Sequence, residues 1–388
     1  MKVLVVAEYY PRARDPVLGI WAHRQTLAAR EAGAQVRVVV LHRPLPPLRA
    51  LRSLDLAGAR HAVAQRRTMH LDGVRIDYLR YVSPPRPWSY ASWGAWAAPV
   101  LKRSLARIAR EFRFDLVHAH YAVPAGDAVR RAAPPTPLVV SVHGGDVHGR
   151  HAGAAAVRET LPHARLVLAN SAGTARRCEA LGARETRVVH LGADIPELEL
   201  PAESQASPTL VTVGHVIARK RHADVIAALP ALRNRHPRLR YIVVGDGPER
   251  DALRALALRL GVSAQVEFRG QLEHGQAVAV ARTATLFVLP SVAEAFGVSY
   301  IEAMAAGVPA IGCRGEDGPE EIAAAGGGIE LVPPHDPAAL AEAIDGLLSE
   351  PERLATLGRQ ARTTVERSFT WERCGRETMA AYENALSE

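Results

Sequence analysis

Cysteine is almost missing from this chain: Cys178, Cys313 and Cys374 are the only three in 388 residues, far apart and in no CxxC spacing. Neither a disulfide framework nor a structural zinc site is expected, and a reducing cytoplasm suits the sequence. Lysine is equally scarce, at 3 residues against 45 arginines, so each lysine invites attention. No HxxxH, His/Cys cluster or GxSxG occurs, which removes the usual signatures of zinc and serine hydrolases. No apolar run approaches the roughly 18 residues of a membrane-spanning helix. The five apolar residues after Met1-Lys2 are too few for a signal-peptide core.

What is present suits two globular domains. Hydrophobic residues make up 48% and charged residues 23%, enough for a core in each half of a chain this long. The net charge of +8 is unevenly spread, with +15 over residues 1–195 and −7 over 196–388. Such asymmetry suggests that the first half meets anionic matter, although arginines scattered over a solvated surface would give the same count.

Apolar runs without polar alternation recur along the chain, from Val3–Ala7, Val36–Leu41 and Val74–Leu79 to Leu116–Ala119, Leu138–Val142, Leu166–Ala169 and Val188–Leu191. They resume at Leu210–Val213, Tyr241–Val244, Val266–Phe268, Leu286–Leu289, Pro309–Gly312 and Ile329–Val332. Helical stretches separate them, the pattern of parallel strands covered on both faces. Residues 193–207 (ADIPELELPAESQAS) break the periodicity and read as a linker. The expected fold class is therefore α/β, with two Rossmann-like doubly wound domains and ligands at the C-terminal ends of their strands. Thr370–Leu386 reads as a closing helix capped by Thr370, its capping box incomplete because Arg373 stands where Glu or Gln belongs.

The most informative stretch is Pro290–Gly312, PSVAEAFGVSYIEAMAAGVPAIG. It predicts a loop to Phe296 and a helix over about 297–306. The start of such a helix offers backbone N–H groups to phosphate. Glu294 and Glu302 would then lie less than roughly 12 Å apart, one placed for sugar hydroxyls and one for a ribose. An ordinary amphipathic helix, with one solvent-facing and one salt-bridged glutamate, fits the spacing too.

This stretch resembles the E-x7-E motif of family 4 retaining glycosyltransferases of the GT-B fold. Thr212–Lys220 (TVGHVIARK) is similar to that family's glycine-plus-basic loop, Val243–Pro248 (VVGDGP) to its GxGP turn, Gly328–Leu340 to its closing segment and Phe369–Tyr382 to its terminal helix. Tyr10–Gln25 with Gly312–Ile322 (GCRGEDGPEEI) most resembles the teichuronic-acid and exopolysaccharide type. The resemblance implies an acceptor-binding domain over 1–198, a nucleotide-sugar domain over 199–368, and a helix over 369–388 that packs back on the first domain. It further implies a hexosyl donor carried on a nucleotide diphosphate, and a saccharide acceptor, expected to be lipid-linked, in envelope or exopolysaccharide assembly.

The same resemblance assigns residues. His143, Lys220 and Glu294 are implied to be catalytic. Gly19, His215, Arg219, Lys220, Gly245, Gly247, Glu294, Phe296, Gly297, Val298 and Glu302 are implied to bind the donor. His215 stands where the family usually has Arg, so Arg219 or Arg221 is the alternative second cation. Gly245-Asp246-Gly247 lacks the third glycine of a dinucleotide fingerprint, Arg250 standing in its place. Asp146 is a candidate to orient His143 or to cap the next helix, and His120 reads as structural. No Asp-x-Asp pair is present. The other common glycosyltransferase architecture holds a metal with one, so a metal-independent enzyme is implied, with no cofactor beyond its donor.

Trp88, Trp93 and Trp96 cluster ahead of Lys102, Arg103, Arg107 and Arg110. Two readings stay open: a helix at an anionic membrane surface, placing the protein at the inner face of the plasma membrane, or a core helix with a basic outer side. A nucleotide-sugar 2-epimerase shares the architecture. A basic nucleic-acid-binding protein is the alternative from another class, but no RNA-recognition or helix-turn-helix signature accompanies the charge.

Overall fold

The computed structural model describes residues 1–44, 64–148, 152–197 and 207–387. The chain forms two compact units, Met1–Leu191 with Trp371–Glu388, and Gly192–Thr370. Each is built on a sheet of the short apolar strands that the unbroken runs predict.

In the first unit the strands are β1 Lys2–Ala7, β2 Gln35–His42, β3 Thr68–Leu71, β4 Val74–Arg80, β5 Leu116–His120, β6 Leu138–Val142, β7 Leu166–Ala169 and β8 Thr186–Val188. Their order is β3-β4-β2-β1-β5-β6-β7-β8, and only β3–β4 is antiparallel. The strand β3 was not expected, because an edge strand carries polar residues and leaves no apolar run. Its turn is nonetheless legible: Asp72 and Gly73 both take positive φ, the hairpin geometry that Asp-Gly favours. The last strand falls at Thr186–Val188, ahead of the expected Val188–Leu191.

The second unit holds β9 Thr209–Val213, β10 Arg240–Val244, β11 Val266–Gly270, β12 Leu286–Val288, β13 Ala310–Cys313 and β14 Ile329–Val332. They are ordered β11-β10-β9-β12-β13-β14 and parallel throughout. In each sheet the order reverses beside one strand pair, β1/β5 in the first and β9/β12 in the second. Loops leaving the two strands diverge there and open a crevice.

The closing helix, Trp371–Ser387, belongs to the first unit. Cys374, Gly375, Thr378, Ala381, Tyr382 and Ala385 form its buried face, at helical spacing. Gly375 lies so close to helix Ile20–Glu31 that a Cβ there would come within 2.3 Å of the Ala28 carbonyl oxygen. Ala193 donates its N–H to Phe369 O at 2.9 Å, and Arg362 donates to Pro196 O at 3.0 Å. These bonds tie the start of the expected linker to the second unit, so the units divide at Leu191/Gly192 and at Thr370/Trp371. Residues 198–206 of that linker lie outside the described residues.

Candidate functional site

In the second unit the loops after β9 and β12 bring together residues 74 positions apart. Lys220 ends a short 3-10 turn, Ala218–Lys220, and its Nζ donates to Glu294 Oε2 at 2.5 Å. Both side chains are nearly buried, at 11% and 8% exposure. Ser291 Oγ donates to the same Oε2 at 2.8 Å, and Arg219 Nη1 lies 3.5 Å from it. The main-chain N–H of Glu294 is held by Glu316 Oε2 at 2.8 Å. All three side-chain contacts of Glu294 therefore fall on Oε2, leaving Oε1 for a ligand, while Lys220 commits one of its three N–H donors.

Burial alone would raise the Glu294 carboxyl, but the Lys220 and Arg219 charges and the two hydrogen bonds hold it below its ordinary value. Glu294 is thus a carboxylate. Burial pulls Lys220 down against the support of Glu294. With Arg219 the trio carries one net positive charge at the crevice, which favours an anion. Arg221 is committed elsewhere, to Asp224 at 2.6 and 2.8 Å. The second cation beside Lys220 is accordingly Arg219. His215 is exposed, and its carbonyl lies 3.4 Å from His222 Nε2. His222 Nδ1 in turn sits 3.1 Å from the buried Tyr241 hydroxyl, which braces the loop from beneath.

Other expected donor residues divide into main-chain and side-chain roles. Gly245 has φ 134°, and a Cβ there would come within 1.9 Å of Gly214 O, so only glycine lets the β10 loop press on the β9 loop. Gly247 presses likewise on Val216 O. Gly297, at φ 86°, caps a helix of only seven residues, Val298–Met304, shorter than expected because the last turn tightens, Ala306 and Gly307 donating to Ala303 O and Met304 O at 3.0 and 2.9 Å, before Gly307 takes positive φ. The Tyr300 hydroxyl, donating to Leu289 O, pins that helix to the end of β12. The side chain of Phe296 is buried at 1% and packs on Phe369 with centroids 5.5 Å apart, so it can offer a ligand only its backbone. Glu302 stays mostly covered and faces His274 Nε2 at 3.5 Å.

In the first unit, His120 closes β5 and His143 follows β6. His120 Nδ1 and His143 Nε2 lie 2.9 Å apart, with the rings stacked. Burial lowers both imidazoles, so both are neutral. Asp146 does not orient His143. Its oxygens instead accept the N–H groups of Ala122 and Val123 at 3.0 and 3.3 Å, and burial raises its carboxyl to about 7. Beside it a cavity of about 160 Å³ is lined by Tyr9, Tyr90, Tyr121, Val123, Gly145 and Asp146, among others. Gly19, φ 66°, opens helix Ile20–Glu31. A Cβ there would come within 2.2 Å of the Tyr9 backbone, which explains glycine at that place.

The tryptophan cluster separates by exposure. Trp93 is core, at 4%, with its indole N–H bonded to Ser89 Oγ and Pro84 O, so for this residue the core reading holds. Trp88 and Trp96 are exposed at 77% and 51%. Lys102, Arg103, Arg107 and Arg110 line the outer side of helix Trp93–Glu111. Among the described residues no helix is long and apolar enough to cross a membrane, and no three His, Cys, Asp or Glu side chains group as metal ligands.

Sequence reasoning missed Ser291, Glu316 and His274, which carry no periodicity or spacing signal. His120, read as structural, is indeed buried, and its contact with His143 had no hint beyond the alternation that puts His118 and His120 on one face of β5.

Two family profiles divide the chain. "Glycosyltransferase Family 4" matches residues 7–196, and "Glycosyl transferases group 1" matches residues 199–364. A glycogen synthase of Mycobacterium tuberculosis is 27% identical over 401 residues, covering 98% of this chain and 94% of that one. A GDP-mannose-dependent monoacylated alpha-(1-6)-phosphatidylinositol monomannoside mannosyltransferase of Corynebacterium glutamicum is 30% identical over 179 residues, 44% and 46% of the two chains. Among solved structures, the sucrose-phosphate synthase of Thermosynechococcus elongatus superposes with a TM-score of 0.78 at 20% identity, covering both chains fully. With both halves matched and the two-sheet architecture shared, the chain belongs to the family 4 glycosyltransferases of the GT-B fold.

Proposed function

We propose that the enzyme transfers a hexosyl group, with retention of anomeric configuration, from a nucleotide diphosphate sugar to a saccharide acceptor in envelope or exopolysaccharide assembly. The observation that carries this reading is the buried Lys220–Glu294 pair with Arg219 beside it, at the switch point of the second sheet. Lys220 and Arg219 meet the diphosphate charge that grows as the bond from C1 to phosphate oxygen breaks. Glu294 Oε1 accepts hydroxyls of the sugar, and Glu302 holds the ribose. The acceptor oxygen bonds C1 on the same face, and its proton passes to the departing diphosphate. Positive charge is thus supplied by side chains, and a metal-independent reaction is the expectation. The first unit receives the acceptor, with His143 at the sugar and the tyrosine-lined cavity offering ring surfaces to a pyranose.

The test is to incubate the protein in EDTA with UDP-, GDP- and ADP-sugars and a panel of alkyl glycosides. The expected products are free nucleoside diphosphate and a glycoside whose new anomeric centre matches the donor. Release of a free epimer without acceptor would instead make the protein an epimerase.

The exposed Trp88 and Trp96 beside a basic helix side support a lipid-linked acceptor at an anionic membrane. The lipid substrate named for the corynebacterial relative points the same way. Flotation with anionic vesicles is expected to carry the protein up, and Trp88→Ala/Trp96→Ala to weaken this severalfold. Equal flotation on neutral vesicles, or indifference to the double substitution, contradicts the membrane reading. Trp93→Ala is expected to lower stability instead, by about 3–5 kcal/mol.

A further inference from the structure

The backbone that carries Glu294 is held in an unfavourable shape. Ala293, just before it, takes φ 54°, a left-handed geometry that is costly for any residue with a Cβ and persists only where the surroundings impose it. The Ala293 side chain is exposed, so packing of its methyl group does not set the turn. We infer that Glu316 is a positioning residue: its carboxylate imposes this geometry and so fixes where Glu294 Oε1 meets the transferred sugar. This role deepens the proposed placing of Glu294 at the sugar and rests on it.

Glu294 is gripped at both of its main-chain polar groups by one loop, the one that follows β13. Glu316 Oε2 accepts the Glu294 N–H at 2.8 Å, and Gly318 donates its own N–H to Glu294 O at 3.2 Å. A Cβ at Gly318 would come within 2.0 Å of Phe296 O, so the two loops press backbone on backbone. On the other side of the turn, Val292 donates its N–H to Arg219 O at 2.9 Å, which ties it to the loop of Lys220. Ala293 is the one residue between these two holds.

Glu316 itself stands on groups outside the site. Arg314 donates its N–H to Val332 O at 2.8 Å, and Glu320 donates its N–H to Glu316 O at 3.1 Å. Gly315 donates its N–H to Glu320 Oε1 at 2.8 Å. The carboxylate is thus fixed by β14 and by the first turn of helix Asp317–Gly326. A hydrogen bond to a carboxylate belongs to the stronger class, whereas losing it would strand the N–H of a residue only 6% exposed. Ser291, the nearest hydroxyl on the same loop, is already committed to Glu294 Oε2. Without Glu316 the peptide between Ala293 and Glu294 gains by turning, since that relieves the left-handed residue and lets the N–H find another partner. The Glu294 carboxylate would swing with it.

Amide hydrogen exchange resolved at Glu294 in the full chain tests the clamp, and steady-state transfer from the donor that the UDP-, GDP- and ADP-sugar panel selects tests its use. In Glu316→Ala the Glu294 amide should exchange about tenfold faster or more. The kcat should fall by a similar factor, with the donor KM changed much less, because Lys220 and Arg219 stand on another loop. Glu316→Gln, whose amide oxygen can accept the same N–H, should restore most of both. Adding Ala293→Gly to Glu316→Ala should recover about fivefold in kcat, since glycine takes positive φ without the Cβ penalty. A residue that merely steadied its own helix would gain nothing from a change at 293. An unprotected Glu294 amide in the wild type overturns the inference, whether or not any variant folds. So does unchanged exchange or kcat in Glu316→Ala, or a loss that neither Gln nor Ala293→Gly repairs. A protected amide in a protein that transfers no sugar would instead leave the clamp standing and remove the functional reading.

Discussion

Lys220→Ala is expected to cut kcat/KM by about 10²–10³-fold, the usual loss when one charge-stabilising donor is removed. It should also lower the melting temperature. Glu294 is nearly buried beside it, and removing one partner of a buried pair costs about 3–5 kcal/mol, because the other charge is left uncompensated. In a unit of this size that corresponds to a fall on the order of 10 °C. Circular dichroism at assay temperature separates the two effects. Glu294→Gln keeps the shape and an acceptor for Ser291 but leaves Lys220 nearly buried beside Arg219 without its counter-charge, so its losses of stability and of turnover should be of the same order. Lys220→Met combined with Glu294→Gln should cost less stability than the two single changes added together. Near-normal turnover in either single variant would remove the pair from the reaction.

Acid is the second strong perturbation. In the first unit burial lowers His118 to about 3 and His120 well below its ordinary value, and it lowers His143 as well. Their unfolded forms take up protons near pH 6.5. As pH falls below that, the unfolded state binds protons that the folded state refuses, so stability is lost. Asp146 works in the opposite direction. Its folded carboxyl, raised to about 7, holds a proton that the unfolded chain releases, so this group gains stability between pH 7 and 4. Three histidines against one carboxyl give a net slope approaching about 3 kcal/mol per pH unit near pH 5. Set beside a total stability of roughly 5–15 kcal/mol, that slope is large. The melting temperature should be nearly flat from pH 8 to 7 and fall steeply below 6.5. A flat profile down to pH 5 would contradict the neutral histidine cluster.

Much of the fold was legible because parallel strands buried on both faces must be unbroken apolar runs. Val3–Ala7, Leu138–Val142 and Ile329–Val332 could be read directly. The edge strand Thr68–Leu71 could not, since an exposed edge needs no apolar pattern, although the Asp72-Gly73 turn beside it was a signal left unused. Helical spacing could also have separated the tryptophans. Trp93 lies on one line with Ala97, Leu101, Leu105 and Ile108, whereas Trp96 lies off it.

The candidate site was legible only in parts. Glu294, Glu302 and Lys220 stood out by motif and by the rarity of lysine. The contact that gives them chemical meaning joins loops 74 residues apart, which no local spacing encodes. Likewise, His120 and His143 are brought together by the register of β5 on β6, where His120 pairs with Ser141 and the chain then rises to His143. At Phe296 the motif position suggests a ligand contact, and packing against Phe369 leaves only the backbone for it.

Thermal unfolding of the whole protein against a panel of UDP-, GDP- and ADP-sugars, with Lys220→Ala alongside, addresses the donor grip most directly. At about 100 times its dissociation constant, the true donor should add about 2.7 kcal/mol, a rise of roughly 5 °C or more, and Lys220→Ala should abolish that rise. A folded wild type that shows no shift with any sugar nucleotide, or a shift that survives the loss of Lys220, would contradict the account.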